Sequence, residues 1–432
     1  MSWLEQADRI GALLIRDAWW AEGRCTWFGD WAVKAGDRWR LVHGNIGADL
    51  YEGAAGIALF LGFLASATGG RAARRTAVAG AHHALTLASR HLDEGRGGRG
   101  LYVGGGGVVL SALLVADAVG DERLHWEALA LGLRLASCPA PSPCMDLLSG
   151  AAGGLLVALD LARRTGQEVY LAEARRYADE IVGHAARSES GVSWGADSTP
   201  HLAGISHGAS GVALALAEAR EICDGAIPAD LILEAVRFER SLFSEESGNW
   251  RDVRPHVDTA GQGSMLAWCH GAPGIGLARL RLASLVSDWS IRRDLDQAYA
   301  TTERAAEQLS DQESACLCHG GCGNLELLIA NAASNEQQSF EPHQLVRRYA
   351  ERLIERDLRS GPTWPCGTRA GGITPGLMLG WAGIGYFFLR MHDPVAIPSV
   401  LLPSDLIRAA PGRAAKRPPV VEGRSAALEA AT

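Results

Sequence analysis

The feature that most restricts the fold is a Gly-x-x-Gly motif that is followed each time by an apolar, alanine-rich stretch. The motif occurs seven times, at intervals of 46 to 63 residues. Repeats of this length fit one pair of helices each, and a series of such pairs can close into a ring. The first glycines of the seven motifs are Gly53, Gly104, Gly150, Gly208, Gly271, Gly320 and Gly380.

Two kinds of predicted helix alternate along the chain. The stretches directly after the motifs, such as 57–65 and 154–162, are apolar on nearly every side, as buried helices are. The stretches between them, such as 168–186 and 344–356, have one apolar and one charged face. We therefore predict an all-α fold, an α/α toroid with a double ring of about seven inner and seven outer helices.

In such a toroid every motif lies at the N-terminal end of an inner helix, on one face of the ring. Glycine allows the tight turn and the close approach of neighbouring turns. The inner helices direct the positive ends of their dipoles towards the centre, where thiolates are favoured. Residues far apart in sequence, such as Cys269 and Cys318, are therefore expected to meet there.

Two of the motifs are embedded in clusters of Cys and His, Cys-His-Gly at 269–271 and Cys-Leu-Cys-His-Gly-Gly-Cys at 316–322. Cys269, Cys318 and His319 together make three soft protein ligands. That number is typical of a catalytic zinc site, which keeps one coordination position open. The alternative is ordinary packing of small buried thiols beside a hydrogen-bonded His.

Three further side chains in these clusters are not placed among the three ligands. Cys316 or Cys322 could supply a fourth ligand, although Cys322 lies inside the turn and fits packing better. His270 occupies the position in its motif that His319 has in the next one. A four-coordinate site cannot use every ligand of both motifs, so we interpret His270 as lining of the pocket.

A candidate acid–base pair precedes two other motifs. His207 stands just before the fourth motif with no Cys beside it, so it faces the centre free to move protons. Asp146 precedes the third motif by four residues, where a carboxylate could orient a neighbouring His. The alternatives are a core His and a loop or helix-capping acid.

Composition limits the partners and the compartment. The net charge of −8 argues against nucleic acid or an anionic membrane as the main partner. No apolar run approaches the roughly 20 residues that span a bilayer, and the N-terminus lacks a signal-peptide core. Nine cysteines clustered in loops fit metal binding in a reducing compartment better than disulfides. We expect a cytoplasmic protein.

Three segments are predicted along the chain. Residues 1–45 form an amphipathic helix and a Trp-rich irregular segment that packs on the toroid. Residues 46–395 form the toroid itself. Residues 396–432 lose the periodicity and are rich in Pro, Ala, Arg and Glu towards the end, so we predict a largely disordered tail.

Several blocks of the sequence resemble one known family. Trp-Cys-His-Gly-Ala-Pro-Gly-Ile at 268–275, Cys-His-Gly-Gly-Cys-Gly-Asn-Leu at 318–325 and His-Gly-Ala-Ser-Gly at 207–211 are similar to signature blocks of the lanthionine synthetase C-like proteins, the lanthipeptide cyclases. The blocks at 49–60 and 375–385 are most similar to the cyclase half of the two-domain class II synthetases.

The resemblance implies an α/α toroid and a zinc ion, Zn²⁺, held by Cys269, Cys318 and His319. It also implies that His207 and Asp146 are catalytic. The family's reaction adds a peptide Cys thiol to a dehydroalanine or dehydrobutyrine, which forms a thioether ring.

The chain departs from the family pattern in two respects. It lacks the large dehydratase half of the class II enzymes, so we expect it to act in trans on a precursor peptide that a separate dehydratase has already dehydrated. Met265 stands where some members have an Arg, which puts cationic help to an enolate in doubt. Two other functions stay open: a non-catalytic scaffold that binds precursor peptide, and addition of glutathione to dehydroamino acids.

Overall fold

The computed structural model describes residues 1–36, 38–138, 142, 144–195, 200–223, 227–228, 230–254, 263–334, 340–368 and 371–408. The described helices are α1 (Trp3–Arg16), α2 (Ala54–Thr68), α3 (Arg71–Asp93), α4 (Gly105–Val119), α5 (Glu122–Ser137), α6 (Ala151–Thr165), α7 (Glu168–Gly183), α8 (Ala209–Ala219), α9 (Leu231–Ser241), α10 (Ala272–Leu285), α11 (Trp289–Ala306), α12 (Gly321–Asn324), α13 (Glu326–Ala333), α14 (Gln344–Ser360), α15 (Trp381–His392) and α16 (Pro403–Leu406). The described strands are β1 (Trp19–Ala21), β2 (Arg24–Thr26), β3 (Phe28–Ala35), β4 (Arg38–Asn45), β5 (Ala186–Ser188), β6 (Gly191–Ser193), β7 (Phe243–Ser244) and β8 (Asn249–Trp250).

The helices form two concentric layers. The inner segments α2, α4, α6, α8, α10, α12–α13 and α15 each contact the next, and α15 contacts α2, so the inner ring closes. Outside them, α3, α5, α7, α9 and α11 each pack against the inner helix that precedes them, and α14 contacts α11. The N-terminal helix α1 packs against α15 and α2, where it completes the outer layer. The predicted α/α toroid is confirmed.

Burial follows the two kinds of helix. In α2 every residue from Ala54 to Ala65 is buried, which matches a helix that is apolar all round. In α14 only one face is buried, with Leu345, Tyr349 and Leu353 inward and arginines outward. No helix in the described part of the chain is both long and apolar enough to cross a bilayer.

The glycine motif has a steric cause. The first glycine of each motif is the N-terminal capping residue of an inner helix. The second glycine faces the carbonyl oxygen of the residue six positions earlier. A Cβ atom on Gly323 would lie 1.6 Å from the oxygen of Leu317, and one on Gly107 would lie 1.8 Å from that of Leu101. Each loop folds back over the start of its helix, and only glycine leaves room for it.

Hydrogen bonds join the seven loops that carry these motifs into a circle. The residue two positions before the first glycine of each loop faces its counterpart in the next loop. In six of the seven steps the backbone N–H donates to the next carbonyl at 2.8 to 3.3 Å, and in the seventh Ser206 Oγ donates to Cys269 O at 3.0 Å. We call these residues the loop ring: Tyr51, Tyr102, Leu148, Ser206, Cys269, Cys318 and Met378.

The N-terminal segment differs from its prediction. Helix α1 forms as expected, but the Trp-rich stretch after it is not irregular, since β1 pairs with β2 and β3 with β4 as antiparallel hairpins. The turn of the second hairpin includes Gly36 at a φ of 63°, a conformation that glycine adopts readily. Asp30 N donates to Ile373 O at 2.9 Å, which ties the second hairpin to the loop before α15.

The segment after α15 is ordered at its start, which differs from the predicted tail. Residues 396–408 begin the segment that the sequence predicts to be a largely disordered tail, and in the structure Ile397, Leu401 and Leu406 are buried. The indole N–H of Trp268 donates to Leu401 O at 2.8 Å, so this segment packs beneath the loops. The remainder of the predicted tail, 409–432, lies outside the described residues.

Candidate active site

Three consecutive loops present the reactive side chains. Cys269 and Cys318 are members of the loop ring, and the residue that follows the ring member is a His in the fourth, fifth and sixth loops: His207, His270 and His319. The N–H of Cys269 donates to the carbonyl of Cys318 at 3.2 Å, which holds the two cysteines side by side. The fold thus brings together residues that are distant in sequence.

The three predicted ligands converge. Cys269 Sγ, Cys318 Sγ and one ring nitrogen of His319 lie within 4.8 Å of one another. Both cysteines are buried and His319 is partly buried. Across the residues that the structure describes, no other group of three His, Cys, Asp or Glu side chains has geometry that could hold a metal.

The ring of His319 is oriented by a carbonyl group. Its Nε2 lies 3.0 Å from Gly367 O, and because a carbonyl only accepts, Nε2 carries the proton. Nδ1 then carries the lone pair, which is the form in which an imidazole nitrogen binds a metal. This arrangement is typical of metal-binding histidines, whose second nitrogen donates to a backbone carbonyl or carboxylate. A Cβ on Gly367 would lie 2.6 Å from Cys316 Sγ and 3.0 Å from His319 Nε2, so the contact requires glycine there.

The two sulfur atoms interact directly. A hydrogen bond from the Cys318 thiol lowers the pKa of Cys269, against the effect of its burial. The same contact and burial raise the pKa of Cys318 well above the usual value, although a hydrogen bond from the Tyr51 phenol acts in the opposite direction. Binding of a metal cation would displace the thiol protons, because the ligand form of Cys is the thiolate.

The donor set fits zinc. Two thiolates and one imidazole are soft or borderline ligands of the kind that zinc prefers, and three protein ligands leave a fourth position free. Cys316 and Cys322 lie outside the cluster. Cys316 Sγ accepts from the N–H of His319 at 3.4 Å, and burial raises its pKa to about 11. Cys322 is fully buried in α12, as packing would require.

The proposed acid–base residues are in contact. Asp146 Oδ2 and His207 Nδ1 are 2.6 Å apart, while Asp146 Oδ1 accepts the N–H groups of Ser149 and Gly150, each at 2.9 Å. Burial acts to raise the pKa of Asp146, but the hydrogen bonds from His207 and Ser149 outweigh it and lower the pKa. Asp146 is therefore both the loop-capping acid and the partner of His207.

His270 lies beside this pair. Its ring stacks on that of His207 with 6.0 Å between centroids, and it is buried. Burial first, and then the charge of Arg254, lower the pKa of His270 to about 4. His270 is therefore neutral at physiological pH, which suits the predicted role as lining of the pocket.

A cationic side chain that the sequence analysis missed enters the site from the loop before α10. Arg254 Nη2 lies 3.4 Å from Met265 Sδ, at the position where the resemblance indicated the loss of an Arg. Asp252, with its side chain buried, holds the guanidinium through Nε at 2.9 Å. The charge of Arg254 also contributes to the lowered pKa of Cys269 and His270. The only signal in the sequence was indirect, the Met at 265.

Comparisons with known proteins agree with this architecture. The family described as lanthionine synthetase C-like protein matches residues 45–402. The lacticin 481/lactococcin biosynthesis protein LcnDR2 of Lactococcus lactis subsp. lactis is 25% identical over 209 residues, and the match covers 47% of this chain but only 22% of that protein. Nisin cyclase is similar in structure, with a TM-score of 0.59 and 17% identity over 83% of this chain and 93% of the other, which shows a shared fold.

Proposed function

Because this chain belongs to the lanthionine synthetase C-like family, we propose that it is a zinc-dependent lanthipeptide cyclase. It would add a Cys thiol of a peptide to a dehydroalanine or dehydrobutyrine of the same peptide and so close a lanthionine or methyllanthionine ring. The observation that carries this proposal is the convergence of Cys269, Cys318 and His319 within 4.8 Å. The loop next to them presents His207 paired with Asp146.

Cys269, Cys318 and His319 would hold the zinc ion, whose positive charge would lower the pKa of a substrate thiol at the open position. The protein's part is to fix this ligand set. The loop ring sets the spacing of the two cysteines, and the carbonyl of Gly367 sets the orientation of the His319 ring.

After the sulfur has added, the α-carbon of the former alkene must be protonated. The thiolate sulfur forms a bond to the β-carbon of the alkene, and the π electrons move towards the α-carbon and its carbonyl as an enolate. His207, as imidazolium, donates its proton to the α-carbon, and the carboxylate of Asp146, 2.6 Å from Nδ1, stabilises that charged form. The proton lost by the thiol restores His207, so the product is an isomer of the substrate.

Arg254 supplies a positive charge to the proposed active site. An enolate places negative charge on the carbonyl oxygen of the former alkene residue, and a fixed cation in a half-buried site stabilises such charge. The guanidinium is held by Asp252 beside Met265 and is partly exposed, so it remains accessible to a peptide. In this proposal Arg254 takes the part that an Arg at 265 would have taken.

Dehydration of the substrate is a different reaction, since it removes water whereas cyclisation changes no mass. We assign that step to a separate dehydratase, and the cyclase would act in trans on the dehydrated precursor peptide. The nine cysteines of the chain are all free thiols, which fits a cytoplasmic enzyme.

The test uses a synthetic peptide with one Cys and one dehydroalanine, thiol alkylation and mass spectrometry. The wild-type protein should contain about one zinc per chain and should remove the alkylation site without changing the peptide mass. Cys269→Ala, Cys318→Ala and His319→Ala should each lose most of the zinc and most of the rate above the spontaneous reaction, while circular dichroism shows an intact fold.

Other outcomes identify the rival functions. A peptide that binds but keeps its alkylation site, with zinc present, would indicate the scaffold. A mass increase equal to one glutathione, when glutathione is supplied, would indicate intermolecular addition. Full zinc occupancy in all three variants would refute the metal site.

A further inference from the structure

An open cleft of about 670 Å³ lies away from the metal cluster, between the β1–β2 hairpin, α3 and the start of α5. This volume lies in the range of sites that hold ligands, roughly 300–1,000 Å³. Five arginines line it: Arg24, Arg71, Arg74, Arg75 and Arg123. We call it the arginine cleft.

The carboxylates in the arginine cleft are already engaged. Glu127 bonds to His82 at 2.7 Å and to Arg123 at 2.8 Å. Glu22 pairs with Arg24 at 3.1 Å. The third carboxylate, Asp121, caps the N-terminus of α5.

Three arginines in the first two turns of α3 remain. Arg71, Arg74 and Arg75 are exposed, and within the described residues none of them forms an ion pair. The indole of Trp20 lies 4.7 Å from the guanidinium carbon of Arg75, so Arg75 is held over an aromatic face. Cations in the first turn oppose the helix dipole, so this cluster weakens α3 rather than stabilising it. A chain with a net charge of −8 thus concentrates free positive charge in one cleft.

The shape favours an extended ligand. The lining runs along α3 from Arg71 to Thr86, which is about 22 Å at 1.5 Å per residue. About seven residues of extended peptide span that length. Arg71 follows directly after the C-terminal end of α2, whereas the loop ring is at the N-terminal end of α2, so the cleft starts at the face of the toroid opposite the metal cluster. If a peptide binds in this cleft, the part of it that reaches the metal cluster at the centre of the ring must be a segment that lies outside the cleft.

We propose that the arginine cleft binds an acidic, extended segment of the peptide substrate, separate from the segment being cyclised. Guanidinium groups bind carboxylates through paired hydrogen bonds, and Trp20 offers a surface for an apolar side chain. The identity of the occupant rests on the proposed function, whereas the binding of an acidic peptide does not. Holding the peptide at a second site raises its effective concentration at the metal cluster.

The binding test needs no catalysis. The probe is a fluorescein-labelled peptide of about twelve residues that alternates Glu and Leu, with a Gln-for-Glu peptide as its control, followed by fluorescence anisotropy at two salt concentrations. The test variant is Arg71→Gln/Arg74→Gln/Arg75→Gln. The matched control, Arg187→Gln/Arg292→Gln/Arg348→Gln, removes the same charge at exposed arginines that form no ion pair in the described structure.

We expect the test variant to bind the acidic peptide about tenfold more weakly than wild type does, and the control variant to bind within twofold of wild type. The Gln peptide should bind poorly to all three. Substitution of the three arginines by Glu should reverse the preference towards a Lys-Leu peptide. Cys318→Ala should bind the acidic peptide normally even if cyclase activity is absent, which separates this inference from the proposed function.

Equal losses in the test and control variants would attribute binding to net charge and overturn the proposal. Binding of a labelled single-stranded oligonucleotide as tightly as the acidic peptide would overturn it as well. Competition by inorganic phosphate at concentrations far below those of physiological salt would indicate a small-anion site in place of a peptide site.

Discussion

Replacement of Asp146 by Asn separates the two tasks of this side chain. An amide oxygen can still accept the N–H groups of Ser149 and Gly150, so the cap of α6 is preserved. The other atom becomes an NH₂ group, which donates and therefore cannot accept the Nδ1 proton of His207. The loop should keep its structure while the imidazolium loses its stabilising carboxylate.

The size of the effect follows from the lost contact. A hydrogen bond to a charged group contributes about 1.5–3 kcal/mol, and the lower half applies because the side chain of His207 is 40% exposed. At about 1.4 kcal/mol per factor of ten, Asp146→Asn should cyclise dehydrated peptide about 10- to 40-fold more slowly. Unfolding free energy should fall by less than about 1 kcal/mol, against about 1–2 kcal/mol for Asp146→Ala, which also loses the cap.

The chain contains a matched control. Asp49 has the same position in the first repeat, and its Oδ1 accepts the N–H groups of Glu52 and Gly53 at 2.9 and 3.2 Å, but no His among the described residues pairs with it. Asp49→Asn should therefore change stability as little as Asp146→Asn does and leave turnover within about twofold. The measurements are alkylation-coupled mass spectrometry and urea unfolding. Wild-type turnover in Asp146→Asn, or an equal loss in Asp49→Asn, would refute the reasoning.

Three further predictions concern the surroundings of the metal cluster. His207→Ala should keep its zinc and its fold but react about 10²-fold more slowly, and unchanged turnover would return His207 to the role of a core residue. Arg254→Gln should cyclise peptide about tenfold more slowly at equal zinc content. Adding Met265→Arg should restore the rate, because the side chains at 254 and 265 are in contact and either could supply the positive charge. Failure of that rescue would exclude a purely electrostatic role for Arg254. Burial raises the pKa of Glu52 to about 8, so the folded state holds this proton more tightly than the unfolded state and stability should fall as pH rises from about 4.5 to about 8. In urea titrations Glu52→Gln should flatten that part of the profile, and an unchanged slope would contradict the assignment.

The ring of helices could be predicted because its cause repeats. Seven glycine motifs, each with a buried helix behind it, carry the same steric requirement, and the pattern is visible without the structure. The hydrogen bonds that pair neighbouring loops could not be predicted from the sequence. The bond from Met378 N to Tyr51 O, which closes the loop ring, joins residues from opposite ends of the repeat series, and no local signal specifies it.

The errors have physical reasons too. The second hairpin carries aromatic and β-branched residues such as Trp31, Val33, Trp39 and Val42 on both sides of Gly36, a strand signal that the analysis of helical periodicity passed over. The start of the predicted tail lacks helical periodicity because it packs as irregular chain, held by bonds such as that from Trp268 to Leu401. Arg254 and Gly367 act in the site from loops outside the motif, so spacing could not identify either.

The loop ring also explains why the chemistry sits in three neighbouring loops. In every loop the second glycine faces the carbonyl six positions earlier and the ring member faces its counterpart in the next loop, so the side chains at the ring member and the residue after it decide what the centre can do. Only the step from Ser206 to Cys269 is made by a side chain, whereas the other six are backbone bonds. That step lies between the loop of His207, the proposed proton donor, and the loop of the first sulfur ligand. A substrate must fit its β-carbon near the sulfur and its α-carbon near the proton donor, so the bond from Ser206 Oγ to Cys269 O lies at the junction between the two groups that the reaction uses.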